Sequence, residues 1–386
     1  MTNMQIGEGA AVFLVSPSET PCGVETFARH LARSWNAAGH DAAQIPICGQ
    51  FSEVAEVWHA LGGAETLVTN APVVAWKRVL LVPLLCLCLA RLRGRKVVQI
   101  LHEWSDLDPR RRLVLSIYLL FATHVLYSSP SVRDQHRRNP VARWLPLQSG
   151  LVPIPPNIAP PSHDAGSQGM PWHHAVRQLA AARAAGRLII GHFGSIYPRK
   201  RSDRILEIAA ELKRRGHDVL LAYIGDFIRG SDDIEAIFTR RIAELGLERN
   251  VHITGYIQSH DDVYAALHET DMLVYAFAEG LTSRRGSVLA ALLSGRPVIV
   301  NRPENEFEFD HHPAFRQALT TEALRLVDAA DDVAAYADAI EAAYRAKQST
   351  VTIDFDQCWR DAAASFGRVL RDEPIFDASS VGVPAE

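Results

Sequence analysis

Little in this chain points to a membrane-spanning, disulfide-bonded or nucleic-acid-binding protein. Cysteine is scarce: Cys22, Cys48, Cys86, Cys88 and Cys358 form no C-x-x-C pair, and one is left over however they are paired. That excludes a disulfide framework and a cysteine-based zinc site, and reads as a reducing cytosol. The start, MTNMQIGEGAAVFLVS, lacks a basic segment followed by a long apolar run, so no secretory signal is expected and the protein is expected to stay in the cytoplasm. Long apolar runs are missing too. The longest, Val79 to Ala90, contains Pro83 and falls well short of the roughly 20 residues a spanning helix needs. Trp76, Lys77 and Arg78 precede it, and Arg91, Arg93, Arg95 and Lys96 follow. Residues 76–96 are read either as a buried helix with solvated ends or as a peripheral contact with an anionic membrane surface.

The net charge of -4 excludes the dense basic surface of a general nucleic-acid binder. The charge is uneven, however, with 15 Lys and Arg against 11 Asp and Glu in residues 1–150. An anionic partner on one face of that half is expected. With 48% hydrophobic and 22% charged residues, 386 positions suit a globular chain of two domains.

Aliphatic runs alternate with helical spacing. VFLVS is followed by a loop and then by Val24, Phe27, Ala28, Leu31 and Trp35 at helix intervals, with Gly39 as a stop. KVVQILH (96–102) and HVLYSS (124–129) continue the pattern. The proline- and glycine-rich stretch 151–171 reads as a linker. After it come RLIIGHFG, DVLLAYIG, VHITGYI, DMLVYAF and PVIVN, again separated by helical segments. This implies two doubly wound parallel sheets. Ligands in such sheets sit beyond the carboxyl ends of the strands, so two such crests facing across a cleft would suit a two-substrate enzyme.

Two loops offer anion sites. GSIYPRKRSDRILEIA, from Gly194, follows a strand and opens a helix with Arg199, Lys200, Arg201 and Arg204 near its start. Exposed helix N–H groups and cations suit a diphosphate, and a solvated helix end is the plainer alternative. EGLTSRRGSVLAALLSGRPVIV (279–300) has Gly280, Thr282, Ser283, Gly286 and Ser287 where backbone amides can approach a ligand, with Arg284 and Arg285 beside them. Glu279 then faces hydroxyls, as of a sugar, or caps the helix. Asp106 and Asp108 form a D-L-D triplet without a metal-site context, and the pairs His173–His174 and His311–His312 read as exposed loop residues. Trp104 and Tyr256 are candidates for stacking on ligands.

These stretches together resemble retaining GT-B glycosyltransferases of glycosyltransferase family 4, over nearly the whole length. PCGVETFARHLARSWNAAGHD (21–41) is similar to that family's P-G-G-V-E opening, IPPNI (154–158) to its entry into the second domain, and EGLTSRRGSVLAALLSGRPVIV to its donor loop in an R-R-G-S branch. The resemblance implies an α/β GT-B fold of two Rossmann-like domains, 1–152 for the acceptor and 153–354 for the donor. A C-terminal helix at about 355–386 would pack back on the first. It implies transfer of a sugar from a nucleotide-sugar to a glycan or a polyprenyl- or lipid-linked acceptor with retention, in bacterial surface polysaccharide or glycolipid synthesis, and neither metal nor cofactor. A non-catalytic nucleotide-sugar binding or scaffold protein is the alternative.

By position, His102, Lys200 and Glu279 correspond to the catalytic set of that family. The donor set comprises Gly23, Gly194, Ser195, Arg199, Arg201, Tyr256, Gly280, Leu281, Thr282, Ser283, Arg284, Arg285 and Ser287. Two positions depart from the pattern: Ser287 replaces the second glutamate of E-x7-E, and Ser195 an arginine. Arg199, Arg201, Arg284 and Arg285 are the candidates to restore the charge.

Overall fold

The computed structural model of the chain describes residues 9–17, 23–73, 76, 79–105, 107–139, 141–161, 174–197, 201–227, 233–328, 331–346 and 353–373. Two compact units emerge. One comprises Met1–Asn157, Phe307–Pro313 and Asp356–Glu386, the other Ile158–Glu306 and Ala314–Phe355.

The first unit carries a six-stranded parallel sheet: β1 (Ala11–Val15), β2 (Ala42–Pro46), β3 (Thr66–Ala71), β4 (Lys96–Leu101), β5 (His124–Tyr127) and β6 (Gln148–Leu151), in the order β2-β1-β3-β4-β5-β6. Between them run α1 (Gly23–Ala37), α2 (Phe51–Ala60), α3 (Leu81–Leu92), α4 (Pro109–Leu120) and α5 (Pro130–Arg137). Helix α1 forms where the spacing predicts it and buries Phe27, Ala28, Leu31 and Trp35. Asp108 caps α4 by accepting from the Arg111 N–H at 3.1 Å, ahead of Pro109 at the first helical position. Part of the D-L-D triplet is thus a helix cap, and Asp106 lies outside the described residues. The apolar run 79–90 becomes α3, which buries Val82, Cys86, Leu87 and Ala90.

The second unit repeats the plan with α6 (His174–Ala184), β7 (Leu188–Phe193), α7 (Ser202–Arg214), β8 (Val219–Ile224), α8 (Ile234–Glu244), β9 (Val251–Ile253), α9 (His260–His268), β10 (Met272–Tyr275), α10 (Gly286–Leu293), β11 (Val298–Asn301), α11 (Pro313–Thr320), β12 (Leu324–Val327) and α12 (Val333–Arg345). Its strands are all parallel, in the order β12-β11-β10-β7-β8-β9. Strands β7, β8 and β9 advance one way, and β10 returns to the other side of β7. The loops after β7 and β10 therefore diverge, which opens a crevice at the crest.

The last helix, α13 (Phe355–Leu370), belongs to the first unit. Phe366 packs on Phe13 and Trp35, with ring centres 5.7 and 5.1 Å away, and Trp359 lies 5.7 Å from Phe27. Asp372 just beyond it accepts from Lys96 Nζ and bonds His124 Nε2, each at 2.8 Å. No helix among the described residues is long and apolar enough to cross a membrane.

One expectation is corrected here. His312 is not an exposed loop residue: it is buried in the returning segment 307–313, and its Nε2 donates to the Ile154 carbonyl at 3.2 Å. His311 beside it is half-buried, His174 is exposed, and His173 lies outside the described residues. Glu308 of the same segment, also buried, accepts from the Ser131 hydroxyl at 2.7 Å at the start of α5.

Burial pushes His136 and His312 each down to about 4 from an ordinary 6.5. His136 accepts from the Tyr127 hydroxyl at 2.7 Å and meets the Trp104 ring edge-on, so its neutral form is the one that fits. Histidines with depressed folded-state pKa values give their full stabilisation above about pH 6.5 and lose it as pH falls toward 4. The first unit should therefore weaken over that window, by on the order of 3 kcal/mol per histidine. Urea unfolding at pH 7 and pH 5 reads this, and His136→Gln and His312→Gln should each flatten the pH slope. An unchanged slope in the double variant contradicts it.

Candidate functional site

The crest of the second unit is built where two glycines let loops meet. Gly194 (φ 122°) ends β7 and Gly225 (φ 148°) ends β8. A Cβ on Gly225 would stand 2.4 Å from the Gly194 carbonyl oxygen, so the end of β8 cannot carry a side chain there. Pairing continues past the strands, with Ile196 N–H donating to the Asp226 carbonyl at 2.9 Å. The floor so formed belongs to a cavity of about 510 Å³ that also takes in Ser195, Ile257 and Tyr256. Tyr256 is 77% exposed, its ring available for stacking, whereas Trp104 is buried core in the other unit.

Beyond Ser195 the loop enters α7. Lys200 and Arg199 lie outside the described residues. Arg201 occupies the N-cap of α7 with a left-handed backbone (φ 47°), and its guanidinium donates to Asp331 at 2.6 Å. Arg204 donates to the same carboxylate at 2.9 Å. These arginines hold Asp331 below the usual carboxylate range. Tyr223 fixes the helix start by donating to the Ser202 carbonyl at 2.8 Å.

The second loop, between β10 and α10, is clamped from β11. The Asn301 side chain accepts from Phe277 N–H at 2.9 Å and donates to Phe277 C=O at 2.8 Å, while Leu281 N–H donates to the Asn301 carbonyl at 3.1 Å. Gly280 (φ 74°) is pressed on the neighbouring crest loop: a Cβ would stand 2.2 Å from the Arg302 carbonyl oxygen. Leu281, Thr282 and Ser283 are buried by this arrangement, and Gly286 opens α10.

Glu279 sits at the edge of this clamp, half-buried, and its carboxylate accepts from the Arg285 guanidinium. Arg285 also lies over the Phe277 ring, 4.6 Å from its centre. Glu279 does not cap α10, whose N-cap residue is Arg285. Arg284 and Ser287 are half-buried nearby, and Tyr275 hydroxyl donates to the Ser287 carbonyl at 3.3 Å. The carboxylate and guanidinium together offer acceptors for hydroxyls and a cation for an anion. Arg201 is committed to Asp331 and Arg285 to Glu279.

In the first unit, His102 follows β4 and is buried, its Nε2 donating to Asn70 Oδ1 at 2.9 Å. The ring stands edge-on to Phe27, 5.1 Å away. Gly23 opens α1, and a Cβ there would lie 3.0 Å from the Asn157 side-chain nitrogen. Thus β1 and β4 deliver Gly23 and His102 to one crest of the first unit, and β7 and β10 deliver Gly194, Ser195, Glu279 and Arg285 to that of the second. Sequence reasoning missed Gly225, Asp226, Asn70, Asn301 and Asp331. A glycine closing DVLLAYIG was the available signal for Gly225, while the other four acquire meaning only through tertiary partners. Among the described residues no group of three or more His, Cys, Asp or Glu side chains is placed to hold a metal.

With this geometry established, the family model described as glycosyl transferases group 1 matches residues 187–346, which span most of the second unit. No curated protein matches the chain significantly in sequence. Solved structures do match in fold. Anabaena Alr3699/HepE in complex with UDP and glucose is 16% identical, with 94% of this chain and 99% of that chain covered and a TM-score of 0.60. A glycosyltransferase from Rickettsia africae is 12% identical, covering 95% and 97% with a TM-score of 0.59. Sucrose-phosphate synthase from Thermosynechococcus elongatus is 18% identical, covering 94% and 98% with a TM-score of 0.57. The chain has the two-unit Rossmann-like architecture of the GT-B fold, and its second unit is related to the group 1 model.

Gly280 and Gly295 have nearly the same backbone (φ 74° and 72°), but a Cβ on Gly295 meets nothing within 4 Å. Gly295→Ala should cost about 1–2 kcal/mol from backbone strain alone. Gly280→Ala adds a backbone collision and should cost clearly more, read as a larger drop in the urea midpoint. Equal costs would mean that the crest loops are not pressed together.

Proposed function

We propose that the protein is a retaining glycosyltransferase that moves a sugar from a nucleotide-sugar to a glycan or lipid-linked acceptor. The observation that carries this reading is the coincidence, within residues 187–346, of the group 1 match with both crest loops and a nucleoside-sized cavity. The HepE structure of the same fold is a complex with UDP and glucose, which suits a nucleoside over Tyr256 and a sugar at Glu279. Free cysteines at 48, 86, 88 and 358 suit a cytoplasmic site of action, and the basic N-terminal half suits the inner face of a bacterial membrane, where surface polysaccharide or glycolipid is built.

In this reading the nucleotide diphosphate lies against Gly194, Ser195 and the start of α7, with Lys200 and Arg199 around it, Arg201 reaching it on release from Asp331, and Gly23 leaving it room. The loop 280–287 (Gly280, Leu281, Thr282, Ser283, Arg284, Arg285, Ser287) wraps the diphosphate and sugar. The bond from sugar C1 to the diphosphate oxygen breaks as the acceptor oxygen bonds C1 from the same face. The acceptor proton passes to the departing phosphate oxygen. Cationic side chains and helix N–H groups stabilise the leaving charge by fixed electrostatics, and Glu279 accepts from the sugar hydroxyls. His102 orients the sugar or acceptor. A scaffold that binds nucleotide-sugar without turnover is favoured only by Ser195 and Ser287.

A thermal-shift and sugar-release screen against UDP-, GDP-, ADP- and dTDP-sugars tests this. One nucleotide class should stabilise the protein and be slowly hydrolysed. Glu279→Ala and Lys200→Ala should each lower turnover by roughly 10²-fold or more. Stabilisation without turnover supports the scaffold, and no stabilisation by any of them contradicts both readings.

A further inference from the structure

The chain between β12 and α12 carries two adjacent aspartates with different work. Asp332 caps α12 by accepting from the Ala335 N–H at 2.9 Å. Asp331 is not needed for that helix. Its side chain is 71% exposed and reaches across to α7, where a single oxygen, Oδ1, accepts from Arg201 at 2.6 Å and from Arg204 at 2.9 Å.

The two arginines differ in what else they hold. Arg204 has a second carboxylate, that of Glu207, three residues on in its own helix. Among the described residues Asp331 is the only carboxylate paired with Arg201. Arg201 is also the N-cap of α7, with φ 47° and ψ 44° and no side-chain capping bond. N-cap residues ordinarily have extended backbone, and a non-glycine residue persists in the left-handed region where its surroundings hold it there. The hold on the Arg201 side chain is that of Asp331.

This arrangement permits an exchange of partners. When an anion comes to the start of α7, Arg201 can leave Asp331 for it while the carboxylate keeps Arg204. No charge is then stranded, and two guanidiniums no longer crowd one oxygen. The contact to be given up is one ion pair with an exposed carboxylate, and such pairs are weak.

We propose that Asp331 sets the affinity of the donor site by holding Arg201 in reserve, so that a nucleotide diphosphate gains this guanidinium only by displacing the carboxylate. The assignment rests on the transferase reading and adds to it a residue outside the loops that follow β7 and β10. Asp331 acts through Arg201, as a positioning residue that competes with the diphosphate.

Calorimetric titration of the full-length protein tests it, with UDP, GDP, ADP and dTDP, their nucleosides, and inorganic pyrophosphate. Asp331→Ala, and Asp331→Asn which keeps the side-chain shape, should each tighten binding of the recognised nucleoside diphosphate and of pyrophosphate. The gain should be about two- to fivefold, the scale of one exposed ion pair. The nucleosides should bind the parent and both variants alike. In an Arg201→Ala background, removal of Asp331 should bring no gain. A gain that persists in that background means that the carboxylate acts by its field alone and overturns the proposal, as does an equal gain for the nucleosides. Unchanged or weaker diphosphate binding in the Asp331 variants also overturns it, and leaves the transferase reading standing. A gain for pyrophosphate with no response to any nucleotide keeps the hold of Asp331 on Arg201 and removes the transferase reading. Response to neither overturns both.

Discussion

The crest of the second unit depends on one side chain. Asn301, at the end of β11, holds both backbone groups of Phe277 and thereby fixes where the chain leaves β10. Everything after Phe277 follows from that grip: the turn through Gly280, the burial of Thr282 and Ser283, and the pairing of Glu279 with Arg285. Because Tyr336 hydroxyl donates to the Tyr275 carbonyl at 2.9 Å, α12 braces the same strand end from beneath. The loop is thus held by buried hydrogen bonds whose loss would leave amides unsatisfied, and such bonds confer rigidity more than net stability. Rigidity is what a site that stabilises a leaving group by fixed charges requires.

A second asparagine, Asn70, stands in a comparable place at the end of β3 in the first unit, yet it differs in one respect. Both polar ends of Asn301 are satisfied within the protein, whereas among the described residues the Asn70 side chain is bonded only by His102. Asp331 is consumed by Arg201 and Arg204, whereas Glu279, with one guanidinium partner among the described residues, keeps carboxylate oxygen capacity for hydroxyls. Among the described residues of the second crest, Arg201, Arg204 and Arg285 are all paired with carboxylates.

Periodicity made the architecture legible. Eight of the twelve strands among the described residues coincide with aliphatic runs evident in the sequence, and α1 buries the face its spacing indicates. Strands β2, β3, β6 and β12 were not evident, because AAQIP, TLVTNA, QSGL and LRLV are short, and small or polar residues dilute the aliphatic signal. The return of 307–313 to the first unit was likewise hidden. Nothing local in FEFDHHP announces that Glu308 will bond Ser131 or that His312 will be buried against Ile154. At the site, glycines and the Glu279 loop were visible as motif, while their clamps were not, since Asn70, Asn301 and Asp331 are ordinary polar residues until the fold gives them partners.

The most direct test of the central claim, that the two loops of the second unit form the nucleotide-sugar site, is a hydrogen-exchange footprint with and without the stabilising nucleotide. The account predicts slowed exchange confined in the second unit to residues 194–204, 225–227, 255–258 and 279–288, the segments around Gly194 and the start of α7, Gly225, Tyr256 and Glu279. Protection elsewhere in that unit, with these four segments and the α7 start unchanged, would contradict it.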